Sequence, residues 1–447
     1  MTLLPSQSSN SLSAFIPFLL RCYLVLVPVM WSPFSHNIQW ADLVFVVLFL
    51  CFLGSEYLGR PRLIWLDYLV LTYLVTAAVS LIHIEDPSKQ GLEFLKLAYL
   101  GSIYLVVGTL CSERSTLDAC IRWTTWLTVA IAGVGLLALL GNQLWSLPAS
   151  LLGVRLHTPY LGEILRLHGT FPGPELLGNY LTAGLPIVLA LVVLSGNESR
   201  RWLGVGVLVI LVAEVFTFSH SWVGLASAAL IFSWPLSKDR AWKIARAVLA
   251  VGVIGLFTAM LFVSTFYITE VTVDLKQGQP PAIPVPVHAK VAQDQWRSLD
   301  ISATYSLMSY QLLKALAWDT FLTHPLTGVG RGNFDSVSTK AVNEGRLAEY
   351  WKGIHPHTSI FGEFAETGLL GGVAFLALWT GTFMTAHRLM HAKESDAHAW
   401  IARASLAALA GLFLNGLYTD IMNFRFLWVA LALLRGLSSA SRRSHTG

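Results

Sequence analysis

Apolar runs of roughly 20 residues, the length of a membrane-crossing helix, recur along almost the whole chain and are separated by short polar breaks. They fall at 13–32, 40–58, 63–83, 91–111, 119–141, 176–195, 201–218, 221–237, 243–268, 358–384, 399–418 and 421–438. Backbone groups inside lipid must satisfy one another, which leaves helices or closed barrels. The runs are continuous rather than alternating with the two-residue period of a membrane strand, so helices are expected. The predicted fold is all-α: a polytopic membrane protein of about 12 transmembrane helices, with residues 1–447 forming a single integral membrane domain. The polar start MTLLPSQSSNS leads into the first run without a small-residue cleavage site. That run therefore reads as a span rather than a removed signal peptide.

Two polar stretches interrupt the pattern. One is 142–175, with Arg155 and Arg166. The other is a large external loop, 269–357, between the ninth and tenth spans. Long connections of this kind are usually functional or disordered. Within it, GQPPAIPVPV at 278–287 predicts extended polyproline-like chain. Residues 303–323 predict a helix at the membrane surface, with Met308, Leu312, Leu316, Trp318 and Phe321 on its apolar side. The following HPLTGVGRGNF has glycines suited to turns that other residues avoid.

Composition agrees with lipid as the main solvent: 54% of residues are hydrophobic and only 13% charged, with a mean hydropathy of +0.60. A net charge of +4 is too small to suggest a nucleic-acid partner. Its placement matters more. Arg60 and Arg62, Arg114, Arg200 and Arg201, Lys238, Arg240 and Lys243, Arg388 and Lys393, and Arg442 and Arg443 occupy alternate loops. The opposite loops are nearly free of basic residues, which predicts cytoplasmic termini. Cys22, Cys51, Cys111 and Cys120 lie in spans or on the cytoplasmic side, so no disulfide framework is expected. The 16 tryptophans suit interfacial belts, with external Trp296 and Trp351 also able to stack on sugars.

The candidate chemistry is in HPHTSIFGEFAETGLLGG, residues 355–372, at the mouth of the tenth span. Thr358 or Ser359 is a suitable N-cap, which puts His357 at a helix N-terminus carrying partial positive charge. That field favours an anion and disfavours imidazolium, leaving a neutral ring able to take a proton. The competing reading is a polar cap residue at the membrane surface. Glu363 and Glu366 are three apart and share a face. Ionised carboxylates at such depth face a cavity or a partner. Glu93 and Lys96 are placed to pair with each other. His355, His324 and His168 have no spacing that suggests a metal, and no cofactor is expected.

His357, Thr358, nine further residues and then Gly368, Leu369, Leu370, Gly371 resemble the signature of the O-antigen ligase and O-antigen polymerase family. The AETG around Glu366, the loop HPLTGVGRGNF and the segment RLHGTFPGPELLGNYL from Arg166 to Leu181 are similar to further segments of that family. The resemblance implies a metal-independent, inverting glycan transferase of the bacterial inner (cytoplasmic) membrane, its active site facing the periplasm. The donor would be a glycan on undecaprenyl diphosphate and the acceptor a glycan, lipid or protein hydroxyl. His357 would be the catalytic base. Arg166, Arg331 and His220 would bind the donor diphosphate, Arg166 ranking first. Arg155, Arg297 and Arg346 are reserves, and Glu366 supports the site. Polymerase and ligase are not distinguished by these residues.

Two positions depart from the family pattern. TFSHSW places His220 where relatives carry a Ser-Arg pair, and Tyr310 stands near the arginine that opens the helix before HPLTG. His220 would supply charge only when protonated, so activity would fall as pH rises through its pKa. The alternative from another class is a non-catalytic transporter or scaffold sharing the fold, with Glu93, Lys96 and Glu366 along a polar path.

Overall fold

The computed structural model describes residues 11–30, 38–59, 63–83, 86–145, 153–158, 162–234, 302–347, 351–392 and 396–444. The helices are α1 (Ser11–Leu26), α2 (Trp40–Leu53), α3 (Trp65–Val79), α4 (Pro87–Leu110), α5 (Arg114–Trp145), α6 (Pro174–Leu194), α7 (Asn197–Thr217) and α8 (Trp222–Ser233). After the region without description come α9 (Ser302–Thr323), α10 (Phe334–Asn343), α11 (Ser359–Met390), α12 (Asp396–Asn415) and α13 (Arg425–Ser444). Helices thus occupy the expected spans that fall within the described residues. The span expected at 243–268 and the proline-rich segment 278–287 lie outside them. Among the described residues, six helices are long and apolar enough to cross a membrane. Leu50, Leu71, Leu95, Leu137 and Leu208 stand exposed around the bundle, as a lipid-facing surface requires. The chain is a mostly helical, multi-pass membrane protein.

The helix ends follow from local chemistry. Asp86 caps α4, its Oδ1 accepting from the Ser88 and Lys89 amides at 3.0 and 3.2 Å, with Pro87 in the first helical position. Pro174 opens α6 in the same way, with Glu175 in the first turn. Between α5 and α6 an antiparallel hairpin, β1 (Gly153–Thr158) and β2 (Gly162–Leu167), pairs Val154 with Arg166. This small sheet is an addition to the expected all-helical fold.

α13 packs in the interior, and Phe426 to Leu434 are all buried. Two ion pairs anchor it. Arg425 meets Asp42 of α2 through Nε–Oδ1 at 2.6 Å and Nη2–Oδ2 at 2.5 Å. Arg435 meets Asp67 of α3 through Nε–Oδ1 at 2.7 Å and Nη2–Oδ2 at 3.1 Å. Tyr99 and Tyr104 of α4 donate to the same two carboxylates at 2.5 and 2.6 Å. Each guanidinium fork thus fills both carboxylate oxygens, the geometry that offsets the desolvation of buried charge.

The span expected at 358–384 is not a continuous helix. α11 breaks at Gly368, with φ 65° and ψ −159°. The loop 325–330 runs into the break and replaces the missing helical bonds. The Leu369 amide donates to the Pro325 carbonyl at 2.7 Å and the Leu370 amide to that of Leu326 at 3.3 Å. In return the amides of Val329 and Gly330 donate to the carbonyls of Ala365 and Glu366 at 3.0 and 2.9 Å. Gly368 has a glycine-only conformation, and a Cβ there would overlap the Leu326 carbonyl. Preceding this loop, α9 packs Leu313, Leu316 and Ala317 against Phe334, Trp351 and Ala365. One side of the expected surface helix is therefore covered by protein.

Gly368→Ala is expected to destabilise the purified protein by at least about 2 kcal/mol, read as a lower unfolding midpoint in detergent. Gly204→Ala, where an added Cβ meets nothing within 4 Å, should leave the midpoint unchanged or raise it. Equal behaviour of the two variants would contradict the role of the break.

Candidate active site

The first half of the site is assembled by chain turns at one end of the bundle. Strand β2 presents Arg166. Its Nε donates to the Thr217 carbonyl at the end of α7 at 2.9 Å, and its Nη2 meets Glu175 Oε1 at 3.2 Å. Phe218 ends α7 in the left-handed region, with φ 45°. The chain then turns through Ser219, His220 and Ser221, and the two serine hydroxyls are 2.6 Å apart. The His220 ring stacks on Tyr418, centroids 5.7 Å apart and planes 19° from parallel. Lys314 of α9 places its Nζ 4.6 Å from the centre of the same tyrosine ring, a cation–π arrangement.

His357 immediately precedes the N-cap of α11. Its φ of 51° makes it, with Phe218, one of the two non-glycine residues in positive φ among the described residues. Strain of this kind collects where the surrounding structure fixes a functional group. Trp351 presents its ring edge-on to the imidazole at 6.3 Å. Thr358 occupies the N-cap as expected, but its hydroxyl donates to the Gly416 carbonyl at 3.2 Å rather than capping its own helix. The Ser359 amide also donates to Gly416, at 2.8 Å, and the Ser359 hydroxyl accepts from the Ile421 amide at 2.9 Å. The helix tip is thereby pinned to the loop that carries Tyr418.

Burial is the main cause that lowers the pKa of His357 below that of an ordinary imidazole; the neighbouring His355 adds to it, and Glu175 and Asp420 oppose it. The neutral ring inferred from the helix field thus has desolvation as its leading cause. His220 is lowered as well, first by burial and then by Arg166 and Lys314, against Glu175. Glu175 acts on both imidazoles, so the two rings share one electrostatic neighbourhood. Burial also lowers the Lys314 ammonium.

Arg331 is held by partners of its own. It is 6% exposed, and its Nη1 donates to Glu363 Oε1 at 2.6 Å and to the Tyr73 hydroxyl at 3.1 Å. The Tyr73 hydroxyl donates in turn to Glu363 Oε1 at 2.6 Å. Glu366, one turn further along α11, accepts the Phe334 amide at 3.4 Å. Glu363 and Glu366 do share a face, and both line a recess together with His355, Pro356 and Thr358. Lys96 pairs with Glu93 at 2.5 Å. Arg346 pairs with Glu344 at the surface. Arg297 and the side chains of Arg155 and Tyr310 lie outside the described residues. No group of three or more His, Cys, Asp or Glu among the described residues is arranged to hold a metal ion.

Sequence reasoning passed over Lys314, Glu175, Tyr418 and Asp420. Lys314 is one helical turn beyond Tyr310, where an arginine was sought, so the signal was the next cation on the same helix face. Glu175 sits inside the quoted GPELLGNY segment, as a first-turn carboxylate at a helix N-terminus.

The fold and this cluster define a polytopic membrane protein with a histidine and two cations gathered at one end of the helical bundle. Residues 205–376 match the family model described as O-antigen ligase, which supports the family read from the motifs. The match takes in Lys314, the 325–330 loop, His357 and the break at Gly368. No match was found among curated proteins.

Arg331→Ala leaves Glu363 buried without its cation, a loss of about 3–5 kcal/mol for a pair this enclosed. The expected result is a sharp fall in folded protein recovered from membranes. Recovery at the wild-type level, with only a raised KM for a lipid-linked donor, would instead mark Arg331 as a substrate ligand.

Proposed function

We propose that the chain is a glycan transferase of the bacterial inner membrane, acting on the periplasmic side. It moves a glycan from an undecaprenyl-diphosphate carrier to an acceptor hydroxyl, without a metal and with inversion at the anomeric carbon. The observation that supports this reading is the strained, half-buried placement of His357, which shares the influence of Glu175 with His220, the imidazole on which Arg166 and Lys314 act. The about 12 spans, the loop 269–357 between the ninth and tenth, and the cytoplasmic termini belong to the same proposal.

His357 takes the proton of the acceptor hydroxyl as its oxygen attacks the anomeric carbon from the face opposite the carrier. The bond from that carbon to the diphosphate oxygen breaks, and its electron pair leaves with the phosphate. Negative charge grows on the diphosphate, and fixed cations aimed at it lower the barrier. Arg166 presents a planar fork and Lys314 a compact ammonium. Arg166 is already held by the Thr217 carbonyl and Glu175, so it needs little reorganisation. His220, neutral at pH 7 through burial, acts as a hydrogen-bonding wall rather than a charge. Arg331 supports the helix tip through Glu363, and the first choice for the diphosphate remains Arg166.

His357→Gly relieves the positive φ, worth roughly 1–2 kcal/mol, and removes the base. The expected result in cells is an unchanged or higher membrane level with loss of surface glycan. Carrier-linked short units would then accumulate for a polymerase, and full-length carrier-linked polymer for a ligase. Normal surface glycan would remove His357 from the chemistry, and loss of glycan with no carrier-linked intermediate would favour the transporter or scaffold reading.

The pH profile follows from two lowered pKa values. A base must be neutral, so activity rises with pH through an acid limb below 6.5, the ordinary imidazole value. The Lys314 charge is lost as pH rises, so an alkaline limb falls below the ordinary lysine value of 10.5. Lys314→Arg is expected to move the alkaline limb upward, and Lys314→Gln to raise the donor KM at least tenfold. A single fall centred below 6.5 would point to protonated His220 as the working cation instead.

A further inference from the structure

The 416–421 loop carries a ring that the proposed chemistry does not use. Tyr418 lies between α12 and α13 and is half-buried. Its ring stacks on the His220 imidazole, centroids 5.7 Å apart, and the Lys314 ammonium lies 4.6 Å from its centre. We propose that Tyr418 is a positioning residue, whose aromatic face holds Lys314 as a cation with no carboxylate set against it. That the held ammonium serves a diphosphate rests on the proposed function; that the ring holds it does not.

The loop is fixed from the interior. The Tyr418 amide donates to the carbonyl of Asn415, the last residue of α12, at 2.9 Å. Asn415 is buried, and its side chain is satisfied by other elements. Its Nδ2 donates to Asn179 Oδ1 of α6 at 3.0 Å and to the Ser221 carbonyl at 3.2 Å, and its Oδ1 accepts the Gly224 amide of α8 at 2.9 Å. A buried amide with its bonds filled in this way rigidifies what it joins. Ser221 ends the turn that carries His220. On the other side, the Gly416 carbonyl receives Thr358 and Ser359 from the start of α11. Tyr418 therefore stands on a frame shared with both His220 and His357.

Lys314 comes from a different element, α9, on a flexible four-carbon stem that needs a partner to be held in one place. Among the described residues it has no carboxylate partner, and its ammonium rests on the Tyr418 ring. The difference matters for an incoming anion. A carboxylate would cancel the charge, as Glu175 partly does for Arg166, whereas the ring quadrupole attracts a cation without neutralising it. The other charged or titratable groups about the ring are His220, on which Lys314 acts, and Arg166 and Glu175, which act on the same imidazole. Burial lowers the pKa of the ammonium, and the ring face works against that loss of charge.

The test is an NMR titration of Lys314 in the full-length protein in detergent. Lysines are reductively methylated with isotopically labelled formaldehyde, which keeps their charge, and the Lys314 resonance is identified by its loss in Lys314→Arg. Tyr418→Leu removes the ring face and is expected to lower the midpoint by about half a pH unit or more, whereas Tyr418→Phe keeps the face and should hold the midpoint within about 0.2 units. If Tyr418→Leu fails to fold, Tyr418→Met takes its place with the same shift expected. An unchanged or raised midpoint in whichever of these folds, or an equal lowering in Tyr418→Phe, would overturn the proposal. In a transfer assay Tyr418→Leu should raise the donor KM at least about threefold, yet add less than about twofold on top of Lys314→Gln. Equal effects in the two backgrounds would show the tyrosine acting on packing rather than through Lys314, and would overturn it as well. A lowered midpoint in a protein that transfers no glycan would sink the transferase reading alone, and an unmoved midpoint in an active one would sink the role of Tyr418 alone.

Discussion

A helix that breaks inside a membrane protein must find partners for the amides and carbonyls it frees, because lipid offers none. At Gly368 those partners are the backbone of residues 325–330, joined to α11 by reciprocal bonds on both sides of the break. Much of the site follows from this insertion. The next residue in the chain, Arg331, is delivered to Glu363 and Tyr73. The preceding helix, α9, is laid along α11 and brings Lys314 over Tyr418. The N-terminal half of α11 then ends at His357, pinned to the 416–421 loop through Thr358 and Ser359.

Five basic residues of the described chain fall into two physical groups. Arg331, Arg425 and Arg435 are enclosed, and each meets a carboxylate at 2.7 Å or less. Removing either partner of such a pair strands a charge, so these arginines act first on folding. Arg166 and Lys314 differ from these in their partners. The Arg166 partner Glu175 has a side chain 45% exposed, and a pair open to water is worth little. Under the proposed function, an arriving diphosphate competes for Arg166 at small cost. The division lets one chain keep arginines as struts in its interior and, under the proposed function, still offer cations to a substrate.

The helices were legible because twenty apolar residues in a row have few other fates. The broken span was legible only as a motif. Gly368 and Gly371 marked the family resemblance, but the reason for Gly368 is a contact with Leu326, more than forty residues away in sequence, which no local pattern encodes. Hydropathy averaging likewise hid Arg425 and Arg435 inside the last run, since each charge is cancelled by an aspartate from another helix. His357 could be found from its place before a helix cap. Its neutral state could be inferred too, although the helix field was credited with what burial mostly does. Lys314 was missed because the search stopped at Tyr310, one turn early.

The account depends on a lipid diphosphate settling between Arg166 and Lys314 beside His357, with the Arg331–Glu363 pair left closed. An electron cryo-microscopy map of the full-length protein in a lipid nanodisc with undecaprenyl diphosphate measures this directly. The account predicts phosphate density within bonding distance of both Arg166 and Lys314, and an unbroken contact from Arg331 to Glu363. Phosphate density on Arg331 with that contact opened, or bound lipid whose head group lies away from His357, would contradict it.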